Sequence, residues 1–269
     1  MLSKEARSTG CAIWGVNGKM GRHLVSAIEE SADFAVTFGV DRTPNKYANT
    51  FPVWTIADDS APPVDLLIDF SHPDNLADLL SFAVSHKVPA LIATTGLTHM
   101  HQQIIEEAGL KIPILVTANT SLGISSVAAV LRELCNLLGN SFDVEIIEKH
   151  HRHKIDAPSG TARLFAGVIT DALGQDMRQI HGREGRLGPR PQAQIGMHAV
   201  RGGGIYGEHT VMFAGEHEVI EIRHTALSRE LFAHGALSLG RRLTGMPPGV
   251  YANEDLWQTN YEGVSTWRK

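Results

Sequence analysis

The sequence predicts an α/β protein in two parts: a doubly wound parallel sheet, followed by an α+β region with a mainly antiparallel sheet. Over the first 120 residues, short and continuously apolar runs alternate with helical patterns, and a glycine-rich turn joins the first run to the first helix. Strands that helices cover on both faces have such continuous apolar runs. Beyond residue 140, three runs follow one another across glycine-rich turns, which is typical of antiparallel strands.

Five apolar runs predict the strands of the parallel sheet. They span residues 11–14, 35–40, 65–70, 90–95 and 112–117. Between them, apolar residues recur at helical spacing, as they do at Leu76, Leu79, Leu80, Ala83 and Val84. That spacing places the apolar side chains on one face of a helix, which can cover the sheet. The last run leads into a long helix predicted over residues 123–138.

The second part begins with a strand predicted over residues 143–150 and an amphipathic helix after the Ser-Gly-Thr turn at 159–161. Residues 182–194 are rich in Gly, Pro and Arg and lack periodicity, which predicts a functional loop or lid. The antiparallel strands are predicted over residues 195–200, 208–213 and 218–224, and a last helix over 229–243.

The composition is that of a soluble globular protein, with 43% hydrophobic and 20% charged residues. The net charge of -5 disfavours a nucleic-acid partner, since neutralising phosphates needs a surplus of Lys and Arg. Cys11 and Cys135 lie in apolar contexts without metal-ligand spacing, and we interpret them as buried thiols. No apolar stretch is expected to reach the ~20 residues of a membrane span, and the N-terminus lacks a signal-peptide core. We therefore expect a cytoplasmic protein with no membrane partner.

The turn at residues 15–21, with the sequence GVNGKMG, predicts a dinucleotide site. It follows the first strand and opens the first helix, where backbone N–H groups and the helix dipole attract an anion. Its spacing is G-x-x-G-x-x-G and not the usual G-x-G-x-x-G, so an ordinary strand-to-helix turn is the alternative. Asp41 ends the second strand 20 residues after Gly21, where its carboxylate can accept hydrogen bonds from an adenosine ribose. The two features together favour NADH or NADPH as a cofactor.

Arg42 bears on the choice between these two cofactors. A guanidinium at this position can bind a 2′-phosphate, whereas Asp41 repels it, so the pair predicts tolerance of both NADH and NADPH. A solvated surface charge is the alternative for Arg42. Two more loops, 93–96 and 118–121, leave the carboxyl ends of predicted parallel strands, where ligands of such sheets bind. We expect their small polar residues to face the nicotinamide half, in addition to turn and capping roles.

Residues 148–162, EKHHRHKIDAPSGTA, concentrate three histidines, two lysines and an arginine in one segment of an acidic chain. The segment joins a predicted strand to a predicted helix. Backbone N–H groups near Ser159, Gly160 and Thr161 are expected to be free to bind a carboxylate, with Lys154 as a nearby point charge. Because imidazoles titrate near neutral pH, the segment predicts an anion receptor that can perform general acid catalysis.

Three other interpretations compete for this segment. A metal site is disfavoured, because zinc-ligand spacing is missing and the neighbouring lysines repel a cation. A solvated basic patch explains any one of these side chains but not the whole set. A Ser-His-Asp hydrolase does not fit, since Ser159 has no G-x-S-x-G turn. The prediction is therefore a site without a metal.

The motif E-x-H-H-x-x-K-x-D-A-P-S-G-T-A at residues 148–162 resembles the signature of the dihydrodipicolinate reductase family, also called 4-hydroxy-tetrahydrodipicolinate reductases. Further matching segments occur in family order. They are the 15–21 turn, Asp41-Arg42, Thr94-Thr95-Gly96, Ala118-Asn119, G-R-E-G at 182–185 and G-E-H-T at 207–210. The resemblance spans nearly the whole chain, although many members have an aromatic residue where this chain has Thr120.

The resemblance implies a Rossmann-type dinucleotide-binding domain, residues 1–121 and 231–269, and a substrate-binding and tetramerisation domain, residues 122–230. It implies NADH or NADPH as the cofactor, a small dicarboxylate as the substrate and a homotetramer. The implied reaction reduces 4-hydroxy-tetrahydrodipicolinate to tetrahydrodipicolinate with loss of water, in the diaminopimelate route of lysine biosynthesis. The rival functions are another nicotinamide enzyme, such as an aspartate-type dehydrogenase, and a dinucleotide-sensing regulator.

The resemblance also implies roles for single residues. His150 is the implied proton donor, and Lys154 is the implied second general acid and a substrate ligand. The rest of the implied substrate site consists of His151, Ser159, Gly160 and Thr161. The implied cofactor site consists of Gly15, Val16, Asn17, Gly18, Lys19, Met20, Asp41, Arg42, Ala93, Thr94, Thr95, Thr117, Ala118, Asn119 and Thr120.

Overall fold

Residues 8–257 of the chain are described by the structure, which is a computed structural model. The chain separates into two compact units. The first unit runs from the N-terminus to Ser121 and resumes at Arg229, and the second is Leu122–Ser228.

Strands and helices alternate through most of the described chain. The strands are β1 (Thr9–Trp14), β2 (Phe34–Val40), β3 (Val53–Trp54), β4 (Leu66–Asp69), β5 (Ala90–Ile92), β6 (Pro113–Val116), β7 (Asp143–His150), β8 (Arg178–His181), β9 (Gln194–Arg201), β10 (Glu208–Ala214), β11 (Val219–Thr225) and β12 (Gly249–Tyr251). The helices are α1 (Lys19–Glu29), α2 (Leu76–His86), α3 (His99–Gly109), α4 (Leu122–Leu138), α5 (Gly160–Leu173), α6 (Glu230–Leu243) and α7 (Asn253–Trp257).

The first unit contains a seven-stranded sheet in the order β12-β6-β5-β4-β1-β2-β3, and all its neighbouring pairs are parallel. Successive side chains of a strand point to opposite faces. In β1, Cys11 and Ile13 are buried in a core with α1 and α6, whereas Ala12 and Trp14 are buried in a second core with α2 and α3. This burial on both faces produces the continuous apolar runs and confirms the predicted doubly wound sheet.

The strand order of the first sheet reverses between β1 and β4. β2 and β3 lie on one side of β1, and β4, β5, β6 and β12 lie on the other. Ligands of open α/β sheets bind at such a switch point, outside the carboxyl ends of the strands. The 15–21 turn follows β1 directly and therefore lies at this position.

The second unit contains a five-stranded sheet in the order β11-β10-β7-β9-β8. Helices α4 and α5 pack on one face and bury its apolar side chains, among them Val144, Ile146 and Val211. In β7 buried residues alternate with partly exposed ones such as Glu145 and Lys149, which point to the other face.

The second sheet is mixed. β10 pairs antiparallel with β7 and β11, whereas β9 pairs parallel with β7 and β8. Three consecutive strands, β9, β10 and β11, were predicted to pair antiparallel with one another. Only β10 and β11 do so, because β7 lies between β9 and β10. Parallel neighbours need a crossover connection of about a dozen residues or more. Residues 182–193 supply that connection between β8 and β9, and they make up all but the last residue of the segment 182–194 predicted as a functional loop or lid.

Four short elements were not predicted: β3, β8, β12 and α7. The three strands have two to four residues each and lie at sheet edges. Such strands contain too few side chains for a periodic pattern to be detected. β12 pairs with β6, so the chain rejoins the first sheet after the second unit.

One helical segment, residues 122–141, is 20 residues long with a mean hydropathy of 1.3, which is enough by length and composition to cross a membrane. The expectation that no apolar stretch reaches this length is therefore wrong. Ile124, Ala128 and Leu131 of this segment pack in the core of the second unit. A core helix of a globular unit has the same composition.

Candidate functional site

A cavity of about 470 Å³ lies in the first unit beside the 15–21 turn, at the switch point of the sheet. The predicted cofactor residues that line it are Gly15, Asn17, Gly18, Asp41 and Arg42. Thr43 and Lys46 also line the cavity and were not predicted, since their positions after Asp41 follow no motif. The side chain of Val16 is instead buried in the apolar core.

Two glycines of the 15–21 turn are required by close contacts within the first unit. Gly15 has a φ of +77°, and a Cβ there would lie 2.7 Å from the carbonyl oxygen of Phe70. A Cβ at Gly21 would lie 2.2 Å from the carbonyl oxygen of Gly15, where α1 approaches the turn. A side chain at either position would displace the backbone.

The start of α1 provides backbone donors for an anion. Gly18 is the N-cap residue and has no side chain that could accept hydrogen bonds from the first turn. N–H groups at a helix start without a capping side chain attract anions, and the helix dipole adds to the attraction. Lys19 and Met20, two of the predicted cofactor residues, are the first residues of this turn.

The Asp41 carboxylate is largely engaged by the polypeptide itself. Oδ2 accepts a hydrogen bond from the Asn17 N–H at 3.0 Å, and Oδ1 accepts from the N–H and the hydroxyl of Thr43 at 2.9 Å each. An ionised carboxylate has about four acceptor positions. Asp41 therefore fixes the loop after β2 to the glycine turn and has room for about one more hydrogen bond.

Positive charges border the same cavity. Lys46 Nζ donates a hydrogen bond to the carbonyl oxygen of Asn17 at 3.3 Å and lies 5.2 Å from the centre of the Tyr47 ring. Arg42 lines the cavity as well. Lys46 and Arg42 thus share one cavity with the Asp41 carboxylate.

The two other predicted cofactor loops, 93–95 and 117–120, lie next to each other, since the Thr117 N–H donates to the carbonyl oxygen of Ile92 at 2.9 Å. The hydroxyl groups of Thr117 and Thr120 serve the fold. Thr117 Oγ1 donates to the Asn119 carbonyl at 2.9 Å, and Thr120 Oγ1 donates to the Phe232 carbonyl at 2.6 Å. These bonds match the turn and capping roles, and neither loop lines the cavity of about 470 Å³.

In the second unit, β7 ends at His150 and α5 begins at Gly160. The strand end and the helix start predicted around the histidine segment are therefore both present. The N-cap of α5 is Ser159, whose Oγ accepts a hydrogen bond from the Ala162 N–H at 3.2 Å. His151 and Lys154 lie on the loop that connects His150 to this helix start.

Glu148 is buried beneath this loop, with 1% of its surface exposed. Its Oε2 accepts hydrogen bonds from His150 Nδ1 at 2.6 Å and from Arg201 at 2.7 Å. Its Oε1 accepts from Arg201 at 2.7 Å and from the Ser159 N–H at 3.1 Å. Burial alone would raise the pKa of Glu148, but the hydrogen bonds from Arg201 and His150 hold that pKa below its ordinary value. Glu148 is therefore ionised near neutral pH.

The ionised Glu148 determines how the His150 ring is protonated. Because a carboxylate only accepts hydrogen bonds, His150 has a proton on Nδ1, an assignment made from the hydrogen-bond network. Burial lowers the pKa of His150, Glu148 opposes this shift, and the charges of Lys154 and Arg201 add to it. Nε2 of His150 lies close to Gly207, since a Cβ added to Gly207 would be only 3.1 Å from this nitrogen.

Lys154 forms an ion pair with Asp156, with 2.7 Å between Nζ and Oδ1. Arg163 lies 3.7 Å from the other oxygen of the same carboxylate. Burial alone would raise the pKa of Asp156, but the hydrogen bond from Lys154 and the charges of Lys154 and Arg163 together lower it. The loop therefore pairs its own lysine with its own aspartate, a contact that was not predicted.

Ser159, one of the predicted substrate ligands, is hydrogen-bonded within the second unit. Its N–H, expected to be free for a substrate carboxylate, donates to Glu148. Its hydroxyl accepts from the Ala162 N–H and is hydrogen-bonded to His209 Nε2 at 2.9 Å. Ser159 is 2% exposed, and its N–H and hydroxyl are hydrogen-bonded inside the unit. Its role as a substrate ligand therefore stays a prediction, and it would require these hydrogen bonds to change.

Lys149, counted among the cations of the histidine segment, lies on the opposite face of β7. There it forms an ion pair with Glu208, which also pairs with Arg223. Neighbouring residues of a strand point to opposite faces, so Lys149 cannot join His150 at one site.

Arg201 and His209 contact the candidate site and had no predicted role. Arg201 lies opposite His150 in the parallel pair of β7 and β9. Its position at the site depends on this pairing, which the sequence pattern did not indicate. His209 occurs in the G-E-H-T segment noted for its resemblance, and that segment was the one available signal.

Two family models match the chain. The model described as "Dihydrodipicolinate reductase, N-terminus" matches residues 9–120, and "Dihydrodipicolinate reductase, C-terminus" matches residues 123–257. The chain belongs to the dihydrodipicolinate reductase family. The family named from the histidine motif is therefore confirmed.

Relatives within the family are similar over almost their whole length. The 4-hydroxy-tetrahydrodipicolinate reductase of Caldanaerobacter subterraneus subsp. tengcongensis is 43% identical over 244 residues, which cover 91% of this chain and 96% of the relative. That of Clostridium tetani is 42% identical over 237 residues, 88% of this chain and 92% of the relative. The activity of the chain is that of this family, the NAD(P)H-dependent reduction of 4-hydroxy-tetrahydrodipicolinate in diaminopimelate and lysine biosynthesis.

A solved structure of the family has the same fold. Dihydrodipicolinate reductase from Paenisporosarcina sp. TG-14, determined with dipicolinate bound, aligns with a TM-score of 0.71 at 23% sequence identity. The alignment covers 91% of this chain and 98% of that one. The predicted fold class, a Rossmann-type sheet with a second α+β part, is thereby confirmed.

Proposed function

We propose that the two units perform different parts of this reduction. Residues 1–121 and 231–269 bind NADH or NADPH, and residues 122–230 bind the dicarboxylate substrate and provide the proton. The first assignment is supported by the cavity beside the 15–21 turn. The second is supported by the loop between β7 and α5, which combines cations, a helix start and the His150 ring.

The donors and acceptors around the cavity of the first unit suit a nicotinamide dinucleotide. The N–H groups at the start of α1 suit a pyrophosphate, and Asp41 has room for about one ribose hydroxyl. Arg42 and Lys46 suit a 2′-phosphate, so we expect both NADH and NADPH to bind. When bound, the reduced cofactor supplies the hydride. The loops 93–95 and 117–120 are proposed to surround its nicotinamide half.

The proposed substrate ligands are His151, Lys154 and the backbone N–H groups of Gly160 and Thr161. A ring with two carboxylates requires cations and N–H donors, and this loop contains both. His151 Nδ1 is buried and has no hydrogen-bond partner within residues 8–257. The relative from Paenisporosarcina, which was solved with dipicolinate, supports a ring dicarboxylate as the ligand.

His150 is proposed as the proton donor and Lys154 as the second general acid. Hydride addition to a conjugated imine leaves negative charge on the ring, which a proton must neutralise. His150 can deliver that proton from Nε2 while Nδ1 remains bonded to Glu148. The observation that carries this assignment is that Glu148 accepts hydrogen bonds from both His150 and the Ser159 N–H, which places the His150 ring beside the start of α5.

Binding of dipicolinate tests the proposed substrate site. Lys154→Ala should weaken binding about 10-fold or more, because a hydrogen bond to a charged group contributes about 1.5–3 kcal/mol. Lys111→Ala is the control, since Lys111 is an exposed lysine of the first unit. Isothermal titration calorimetry gives both dissociation constants. Equal affinity in the two variants would refute the assignment of Lys154.

We also propose that the protein is a cytoplasmic homotetramer. Both helices of the second unit pack on one face of its sheet, and the other face includes the exposed side chains of Val200 and Val219. Burying that face against other copies would remove it from water. The free thiols Cys11 and Cys135 agree with a reducing compartment. Sedimentation equilibrium should give a mass four times the 29.2 kDa of the chain, and a monomer would contradict the assembly.

A further inference from the structure

We propose that Glu148 and Arg201 are a positioning pair, which holds His150 in the tautomer with a proton on Nδ1 and leaves Nε2 for proton transfer. The proposal deepens the proposed function and rests on it, because it takes His150 as the proton donor. Neither Glu148 nor Arg201 performs a chemical step. Both act through His150.

Glu148 has a full set of hydrogen bonds. Arg201 donates to both carboxylate oxygens at 2.7 Å, His150 donates to Oε2 at 2.6 Å, and the Ser159 N–H donates to Oε1 at 3.1 Å. A carboxylate has about four acceptor positions, and these four N–H donors fill them. Rotation of the carboxylate would break at least one of these hydrogen bonds, and a buried polar group without its partner is costly. The partner of His150 is therefore fixed in position.

Arg201 holds Glu148 from the neighbouring strand. It lies directly opposite His150 in the pairing of β7 with β9. Nη2 of Arg201 also donates to the carbonyl of Asp156 at 2.6 Å, and Nη1 donates to the carbonyl of Val200 at 2.8 Å. One planar guanidinium therefore connects the strand that contains His150 to the loop that contains Lys154. An ammonium group has no such planar arrangement of donors.

The groups around His150 act on its protonation in opposite directions. Burial and the charges of Lys154 and Arg201 favour the neutral ring, whereas Glu148 favours the imidazolium. The ring of His209 is 5.1 Å away from that of His150, and His209 is neutral because burial lowers its pKa to about 3. Within the described part of the chain, Glu148 is therefore the group that keeps His150 able to hold a transferable proton.

The pair also keeps the tautomer fixed after the proton has left. When the imidazolium of His150 loses its proton from Nε2, the remaining proton is on Nδ1, where Glu148 accepts its hydrogen bond. The next proton then enters at Nε2 without rotation of the ring. An amide in place of the carboxylate could donate to Nδ1 or accept from it. Glu148→Gln therefore removes the preference for one tautomer.

NMR of the ¹⁵N-labelled histidine rings tests the proposal, with His150→Gln identifying the resonances of His150. In the unmodified protein we expect neutral His150 to have its proton on Nδ1. Glu148→Gln should lower the pKa of His150 by about one unit or more, the size of shift that an opposite charge at this distance causes. The alkaline limb of kcat/KM should move to lower pH by the same amount, because the acid then loses its proton earlier. The affinity for dipicolinate should stay unchanged.

Two results would overturn the proposal. One is a neutral His150 with its proton on Nε2 in the unmodified protein. The other is a pKa of His150 that Glu148→Gln does not change. The tautomer of His150 is measured without any variant of Glu148 or Arg201. This measurement therefore tests the proposal even if Glu148→Gln fails to fold.

Glu145→Gln is the matched control. Glu145 also accepts hydrogen bonds from a histidine, His198 at 2.7 Å, and from an arginine, Arg183 at 2.9 Å, but on the opposite face of β7. It should leave the titration of His150 unchanged, and an equal shift in both variants would overturn the specific role of Glu148. Normal turnover by His150→Gln would instead refute the proposed function, so the two failures are distinguishable.

Discussion

Glu145 and Glu148 of β7 each accept hydrogen bonds from a histidine and an arginine, yet the two carboxylates lie on opposite faces of the sheet. An odd number of steps along a strand reverses the face. Glu148 therefore meets His150 at 2.6 Å, whereas Glu145 meets His198 at 2.7 Å. Chemically similar clusters are thus kept apart by the sheet, and only that of Glu148 adjoins the loop proposed to bind the substrate.

The Glu145 cluster predicts a pH-dependent contribution to stability. Burial would raise the pKa of Glu145, but hydrogen bonds from Arg183, His198 and Arg190 lower it to about 2. Because the folded-state pKa is below the ordinary 4.5, the stabilisation is complete above about pH 4.5 and is lost as the pH falls towards about 2. Glu145→Gln should lower the free energy of unfolding by about 1–3 kcal/mol near neutral pH, and by less in acid. Urea denaturation at several pH values measures this, and a difference that does not change with pH contradicts it.

The ion pair between Lys154 and Asp156 predicts competition with the substrate. A carboxylate that binds Lys154 competes with Asp156, whose Oδ1 is 2.7 Å from Nζ, for the charge of the ammonium group. Asp156→Asn should therefore tighten dipicolinate binding about 2- to 5-fold, since a partly exposed ion pair contributes about 0.2–1 kcal/mol. Asp171→Asn, at an exposed position of α5, is the control for calorimetry. Weaker binding by Asp156→Asn would show that Asp156 positions Lys154 and does not compete for it.

Arg42 and Lys46 predict how the chain binds the two cofactors. Both line the cavity that contains Asp41, and only NADPH has a 2′-phosphate for them to bind. Replacing both with alanine should weaken NADPH binding about 10-fold or more, because each charged hydrogen bond contributes about 1.5–3 kcal/mol. NADH binding should change little. Dissociation constants from fluorescence titration decide the matter, and an equal loss for both cofactors rules out contact with the 2′-phosphate.

Two helix glycines predict stability changes of opposite sign. A Cβ at Gly235 would lie 1.9 Å from the carbonyl oxygen of Thr120, whereas a Cβ at Gly167 meets nothing within 4 Å. Gly235→Ala should destabilise the protein by about 1–3 kcal/mol, since α6 must move away from the 117–120 loop. Gly167→Ala should stabilise it by about 0.5–1 kcal/mol through the helix propensity of alanine. Chemical denaturation gives both values, and changes of the same sign would contradict this packing.

Local pattern was enough to predict most elements of the fold. The run at 112–117 contains β6, the helix predicted over 123–138 is α4, and the run at 143–150 is β7. Each of these is long or apolar enough for its own residues to determine its type. The choice of neighbours is different, because it depends on contacts between distant residues. The parallel pairing of β9 with β7 was therefore not predicted.

The same distinction explains which parts of the candidate site were predicted. The loop with His150, His151 and Lys154 is contiguous, so its chemistry is visible in the sequence. Arg201 reaches Glu148 across 53 residues, and the Ser159 N–H reaches it across 11. Neither contact follows from a motif. The first explains why Arg201 had no predicted role, and the second why the engagement of the Ser159 N–H was not expected.

The proposal that His150 donates the proton is tested most directly by the turnover of His150→Gln, measured together with its affinity for dipicolinate. His217→Gln is the control, because that side chain is 93% exposed in a turn. We predict that His150→Gln lowers kcat about 10²-fold or more, the usual effect of losing a general acid, while dipicolinate still binds. A kcat near that of the unmodified protein would contradict the assignment.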